Sequence, residues 1–154
     1  MKLIKLAFIA LILTLVLACG TEIGRIPFTA LGSGETEVVV DAGSEINFWT
    51  QLDIKFEGDA ALVYAINLIQ DDVVIQEIAC SPFNISTKVK SVETTFGNTR
   101  SMKYGGKMRC SGTVPSSGPV VIRAALLALN PGDNNVIELP ATVQLKTADL
   151  IIKQ

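Results

Sequence analysis

Histidine, the commonest general base and metal ligand among side chains, does not occur in this chain of 154 residues. Three cysteines and 15 acidic residues are the main groups left for nucleophilic, acid–base or metal chemistry. Glu35 and Glu37 stand two positions apart in a predicted strand, so both carboxylates share one solvated face. The S-x-x-K spacing of serine–lysine hydrolases is also absent from the sequence. We therefore predict no catalytic residues and expect that the chain is not an enzyme.

The only tryptophan, Trp49, lies in the most regular alternating stretch of the sequence. Apolar and polar side chains alternate from position 46 to position 56, which predicts a strand with one buried face and one wet face. The wet face carries an aromatic ring among amides and an acid: Asn47, Trp49, Gln51 and Asp53. Such a face could bind a sugar or a partner protein. The alternative is that another sheet edge or a loop covers Trp49.

Two short acidic stretches could offer oxygen ligands to a calcium ion, namely Asp71-Asp72 and Asp133-Asn134-Asn135. Neither has the spacing of a known calcium loop, and ordinary turn chemistry explains both. We therefore predict no metal site and no cofactor.

Basic side chains cluster in one third of the chain, at Lys88, Lys90, Arg100, Lys103, Lys107 and Arg109. A solvated face is the simplest explanation of this cluster. The alternative is a contact surface for an acidic partner or an anionic polysaccharide.

The first residues have the composition of a secretory signal peptide. Residues 1–5 carry two lysines, and residues 6–18 (LAFIALILTLVLA) are apolar except for Thr14. As a helix this run would cover roughly 20 Å, which is short of the roughly 30 Å hydrocarbon core of a bilayer. A charged start, a short apolar core and a small residue before the cut are the parts of such a peptide.

The end of this run, Val16-Leu17-Ala18-Cys19, resembles the lipobox of bacterial lipoproteins, although Leu17 is bulkier than the favoured Ala or Ser. The resemblance covers residues 1–20 only. It implies cleavage before Cys19, a diacylglycerol on the Cys19 sulfur and, in many bacteria, a third acyl chain such as palmitate on its amine. Two or three chains would hold the protein at a membrane essentially permanently. The alternatives are an ordinary signal peptide that ends near a cysteine and an uncleaved anchor.

The resemblance also implies a location in the cell envelope. Gly20, rather than Asp, follows Cys19. By the sorting rule of enteric bacteria this indicates the outer membrane, on its periplasmic or its surface face. Cleavage of residues 1–18 from the 154 would leave 136 residues with 11 basic and 15 acidic side chains, a net charge of −4. We therefore expect no binding to nucleic acid.

If Cys19 carries lipid, Cys80 and Cys110 remain as an even pair in an oxidising compartment. We therefore predict a disulfide between them, which would close a loop of about 31 residues and contribute roughly 3–4 kcal/mol. The alternative is two buried free thiols.

Residues 35–154 predict an all-β domain, an antiparallel β-sandwich of immunoglobulin-like or jelly-roll type with about eight or nine strands. Apolar or alternating stretches are separated by turn residues, most strongly at 130–135. Residues 19–34 are interpreted as a lipidated N-terminus and tether, with 23–30 as either an edge strand or a spacer. Gly105-Gly106 indicates a β-bulge or a close approach to the backbone at this position.

The sequence thus predicts a lipid-anchored, non-catalytic envelope protein, a structural, adaptor or accessory subunit of an envelope assembly. Its expected partners are the membrane, through the acyl chains on Cys19, and an envelope protein. The alternative is a carbohydrate- or peptide-binding module that uses the Trp49 face. Exposure of the Trp49 indole distinguishes the two.

Overall fold

The computed structural model describes residues 20–154, so the signal peptide, the lipobox and Cys19 lie outside the described residues. All ten elements of the described chain are strands: β1 (Glu22–Ile26), β2 (Gly32–Val40), β3 (Glu45–Glu57), β4 (Ala61–Gln70), β5 (Val73–Cys80), β6 (Ile85–Phe96), β7 (Thr99–Thr113), β8 (Gly118–Leu129), β9 (Val136–Ile137) and β10 (Val143–Lys153). Between residues 20 and 154 we find no helix that is long and apolar enough to span a membrane.

The strands form two antiparallel sheets packed face to face. The first sheet has the order β1-β10-β3-β7-β6, and the second has the order β2-β8-β4-β5 with β9 paired to β8. The predicted fold class, an all-β antiparallel sandwich, is confirmed. There are ten strands rather than eight or nine because residues 22–26 and residues 136–137 both form strands.

The core lies between the two sheets and is built by alternation along each strand. In β3 every second side chain from Ile46 to Phe56 is buried, and those between them face out. The same pattern in β4 and β8 buries Tyr64, Ile66 and Leu126 from the other side. Burial of one such aliphatic side chain contributes about 1.5–3 kcal/mol, so the inner faces set which face of each strand looks outward.

The sandwich begins earlier than the sequence predicts. Residues 19–34 were interpreted as a tether, with residues 23–30 as either an edge strand or a spacer. The structure has an edge strand here, β1, which pairs with β10 from Glu22 onward, and β2 begins at Gly32. Ile26 and Phe28 are buried in the core, and burial of these apolar side chains stabilises the packing of this segment on the sandwich. Pro27 follows the end of β1 and so removes no hydrogen bond from the ladder.

A disulfide joins the two sheets. Cys80 ends β5 in the second sheet, Cys110 lies in β7 of the first, and their Cα atoms are 5.8 Å apart. The predicted Cys80–Cys110 bridge is therefore present, and it is an inter-sheet bridge.

The predicted irregularity at Gly105-Gly106 is a close approach. A Cβ on Gly106 would stand 2.7 Å from Ile85 Cγ2 and 2.8 Å from the Thr87 carbonyl oxygen. The bulge itself lies across from Gly105, in β6 between Val89 and Val92.

Candidate functional site

The outer face of the first sheet holds a groove of about 470 Å³. Its floor is formed by the middle strands β10, β3 and β7, and side chains of β1 and β6 rise on either side. The residues that define the groove are Arg25, Trp49, Gln51, Asp53, Lys103 and Gly105. Three of the four residues of the predicted binding face therefore lie together in one depression.

The alternation of β3 places Trp49, Gln51 and Asp53 in the groove, and pairing brings further residues to them. Trp49 is opposite Ile151 of β10, and Gln51 is opposite Gly105 of β7. Asn47 shares the outer face but lies beyond an irregularity in the β3–β7 register. Together with Lys107 and Arg109, it lines a separate, shallow depression.

Asn47 has an unusual environment for an amide. Its Oδ1 atom is buried and has no hydrogen-bond partner among the described residues. An unpaired buried acceptor costs about 1–3 kcal/mol. Asn47 is therefore a polar group at the border of the groove whose hydrogen-bonding capacity the fold does not use.

Trp49 is partly exposed on the floor of the groove. The group over its ring is the ammonium of Lys153, with Nζ 4.2 Å from the ring centroid. Lys153 is a side chain of the adjacent strand β10, not a loop or a sheet edge. A cation–π contact at an exposed site is worth about 0.5–1 kcal/mol, so a ligand can displace this cover at low cost.

Arg25 organises one side of the groove through hydrogen bonds to three side chains, and its Nη2 donates to Glu22 Oε2 at 3.1 Å. Its Nε donates to Glu22 Oε1 at 2.9 Å, and its Nη1 donates to Asp149 Oδ2 at 3.0 Å and to Gln51 Oε1 at 3.3 Å. The hydrogen bond from Arg25 holds the pKa of the Glu22 carboxyl below its usual value, and the same bond raises the pKa of Arg25. Both groups are therefore charged at neutral pH, and Arg25 joins β1, β10 and β3.

The opposite side of the groove is basic and less constrained. Lys103 Nζ is 3.6 Å from Asp53 Oδ2, and the Lys103 side chain is 69% exposed. Lys90 lies in the β6 bulge with a left-handed φ of 50°, a conformation that is uncommon outside glycine. Bulges often change the direction of a side chain beside a site, and this one places Lys90 on the groove.

The predicted basic cluster does not form one surface. Lys90 and Lys103 line the groove, whereas Lys107 and Arg109 line the neighbouring depression. Lys88 instead pairs with Glu93 and lies over the Tyr104 ring, and Arg100 lies over the Phe56 ring. Neither Lys88 nor Arg100 lines the groove.

Gly105 leaves the middle of the groove open. A Cβ at this position would meet only the Val89 and Thr50 carbonyl oxygens, at 3.7 and 3.8 Å, which are ordinary contact distances. Gly106 and Gly112 differ, since a Cβ at either would approach a neighbouring side chain to 2.7 Å. Packing therefore requires glycine at 106 and 112 but not at 105.

The two acidic stretches considered as calcium ligands form turns. Asp71 and Asp72 have φ values of 52° and 61° in the two-residue turn between β4 and β5, as a type I′ hairpin requires. In the other stretch, Asp133 Oδ1 accepts the Asn135 backbone N–H at 3.0 Å. Within residues 20–154, no group of three His, Cys, Asp or Glu side chains is placed to hold a metal ion.

Three groove residues were missed in the sequence: Arg25, Lys153 and Gly105. Alternation near the C-terminus places Lys153 on a strand face, but it does not tell which strand is the neighbour. Arg25 lies in the segment interpreted as a tether. Gly105 was noticed only as a backbone irregularity.

Comparison with known proteins gives no relative from which a function could be inferred: no family model, curated protein or solved structure matches the chain.

Proposed function

We propose that this chain is a lipid-anchored, non-catalytic protein of the bacterial cell envelope, an adaptor or accessory subunit that recognises its partner through the groove. The observation that carries the proposal is the groove itself. A partly exposed tryptophan and cations of four strands meet over the middle of a sheet whose inner face already supplies the core.

The charge state of the groove supports binding rather than acid–base chemistry. A general acid at neutral pH needs a carboxyl with a raised pKa. The pKa of Glu22, which lines the groove, is lowered by its hydrogen bond from Arg25. Glu22 therefore acts as a fixed anion.

Two features support the envelope location and the anchor. The lipobox-like Val16-Leu17-Ala18-Cys19 directly precedes the described residues. The inter-sheet disulfide is a bond that forms and persists in oxidising compartments such as the periplasm. An intact mass of the membrane-extracted protein tests the anchor: we expect a chain that starts at Cys19 and carries acyl mass. An unlipidated chain that starts elsewhere would contradict it.

The second candidate is a carbohydrate- or peptide-binding module that uses the same groove. The partial exposure of Trp49 favours it, because only one lysine side chain lies over the ring. Trp49 is also the only tryptophan, so its fluorescence reports on the groove alone.

Site-specific photo-crosslinking in intact cells separates the two candidates. A photoreactive amino acid replaces Gln51 in the groove and, as the matched control, Ala65 on the outer face of the second sheet. An adaptor gives a discrete protein adduct from position 51 and none from position 65. Absence of any protein adduct, in cells where the variant is anchored normally, would contradict the adaptor role and leave the binding module.

A further inference from the structure

The charged side chains of the groove do not balance one another. Arg25 is engaged by Glu22 and Asp149, and Lys103 is close to Asp53. Lys90 and Lys153 also line the groove, and neither forms an ion pair in the part of the chain that the structure describes. The groove therefore presents unneutralised positive charge, although the chain as a whole is acidic.

The position of the groove in the sheet limits what can bind there. Peptides are often recognised by adding a strand to an unpaired sheet edge. The floor here is formed by β10, β3 and β7, whose backbones pair with one another over most of their length. Only side chains are available: an indole face, an amide, a carboxylate and several cations. These groups suit a ligand with hydroxyls, an apolar ring face and negative charges.

We propose that the groove binds an acidic glycan, with a sugar ring against Trp49 and the sugar carboxylates on Lys90, Lys103 and Lys153. The proposal rests on the second candidate function, the carbohydrate-binding module, and it names the class of sugar that the groove takes. The C–H face of a pyranose stacks on the indole once Lys153 swings from the ring to a carboxylate. Gln51 and Asp53 bind hydroxyl groups between these two contacts.

Gly105 makes room for that ring. The fold tolerates a side chain here, yet the position is empty beside Gln51 and diagonal to Trp49. Glycine in a strand interior is unfavourable unless something approaches its backbone closely. A bound sugar would be that approaching group.

The test is a titration of the full mature protein followed by Trp49 fluorescence. The probes are an oligogalacturonate, a neutral malto-oligosaccharide of equal length and an oligothymidylate of equal charge. We expect the oligogalacturonate to bind about tenfold or more tightly than the neutral sugar, because each lost charge-assisted hydrogen bond costs about that factor. Its binding should also weaken with added salt.

Variants locate the effect in the groove. Gly105→Val should abolish binding by filling the groove, whereas Ala65→Val creates the same side chain on the outer face of the second sheet and should change nothing. Lys153→Gln should weaken oligogalacturonate about tenfold, whereas Lys146→Gln, an exposed lysine of the same strand, should not. Unaltered far-UV circular dichroism and unfolding midpoints establish that each variant is folded.

Three outcomes would overturn the proposal. Equal affinity for the acidic and the neutral sugar would remove the acidic class but leave the groove as a recognition surface. Equal or tighter binding of oligothymidylate would indicate general polyanion binding. Binding that survives Gly105→Val would place the contact outside the groove. Loss of the proposed adaptor function itself is read separately, from crosslinking at position 51.

Discussion

The two sheets share one core but present opposite chemistry to their surroundings. The strands of the first sheet carry ten lysines and arginines and six acidic residues, whereas those of the second carry one arginine and three acidic residues. The outer face of the first is indented around Trp49. The outer face of the second has a shallower depression at β4 and β5, and it carries small and aliphatic side chains such as Ala65, Ala79, Val121 and Ala125 beside the Arg123–Glu35 pair.

This difference separates the demands of folding from those of recognition. The inner faces of both sheets are apolar apart from the buried Thr50 and Gln70, because each must fill the same space between them. The outer faces carry no such demand, so their residues can differ without changing the sandwich. The basic charge, the partly exposed Trp49 and Gly105 all lie on the outer face of the first sheet, and this asymmetry is the reason that we propose it as the recognition surface.

The largest effect on stability is expected from removing the disulfide that links the two sheets. Replacing both cysteines, Cys80→Ala with Cys110→Ala, should lower the free energy of unfolding by about 3–4 kcal/mol, since the unfolded chain regains the entropy of an open loop. Urea denaturation followed by Trp49 fluorescence measures it. The reduced natural protein should match the double variant, and an unchanged midpoint in both would contradict the role of the bridge.

A second polar link crosses the core without a covalent bond. The Tyr64 hydroxyl, from the second sheet, contacts Thr50 Oγ1 at 2.9 Å and donates to the Ala148 carbonyl at 2.7 Å, both in the first. Tyr64→Phe should cost about 1–3 kcal/mol because it leaves the buried Ala148 carbonyl and the Thr50 hydroxyl without this hydrogen-bond partner. Thr50→Val in the same chain should recover part of the loss, and strict additivity of the two changes would argue against coupling.

Alkaline pH should weaken the sandwich through its two buried tyrosines. Burial raises the pKa of Tyr64 well above its ordinary value of 10.0 and that of Tyr104 to about 12. Their contribution is fully present below pH 10, where both states are neutral, and is lost as pH rises from there through the folded pKa, because only the unfolded chain ionises. By pH 11 each should cost about 1 kcal/mol.

Urea denaturation between pH 9 and pH 11 measures how the free energy of unfolding falls with pH. The fall is expected because the pKa of each tyrosine is higher in the folded chain than in the unfolded chain. The variant with Tyr64→Phe and Tyr104→Phe should show a much flatter dependence. An equal slope in that variant would assign the effect to other groups.

The smallest effect compares one arginine from each sheet. Arg25 joins three strands through Glu22, Asp149 and Gln51, whereas Arg123 forms a single pair with Glu35, both more than half exposed. Arg25→Ala should cost about 0.5–1 kcal/mol, and Arg123→Ala only a few tenths. Thermal unfolding of the two variants, at low and high salt, gives the comparison. Equal losses would mean that the Arg25 contacts do not act together.

Most of the fold could be predicted from the sequence because its signals are local. Alternation marks β3, and a continuous apolar stretch between turns marks β8. Asp71-Asp72 marks a hairpin, because these residues tolerate positive φ. β1 could not be placed, since five residues with a weak pattern become a strand only by docking on β10.

Of the residues in the groove, the sequence predicted as a binding face only those that lie on a single strand, β3. Trp49, Gln51 and Asp53 follow from the alternation of β3. Arg25 and Lys153 join them through a strand order, β1-β10-β3, that connects the two ends of the described chain and leaves no mark in either segment. The lipid on Cys19 and the envelope partner stay predictions.

The pairing of Thr21 with Gln154, by hydrogen bonds of 2.8 and 3.0 Å, has a mechanical consequence. A pull on the N-terminal end along its strand axis slides β1 against β10, so the bonds of that ladder share the load and resist together. Load then passes sideways into β3 beneath the groove and along the chain into β2 of the second sheet. If β1 is drawn out, residues 20–31 become a leash of roughly 40 Å, a length set by the reach of an extended chain. Under tension the short strand β1 would then detach from β10 and lengthen the N-terminal segment.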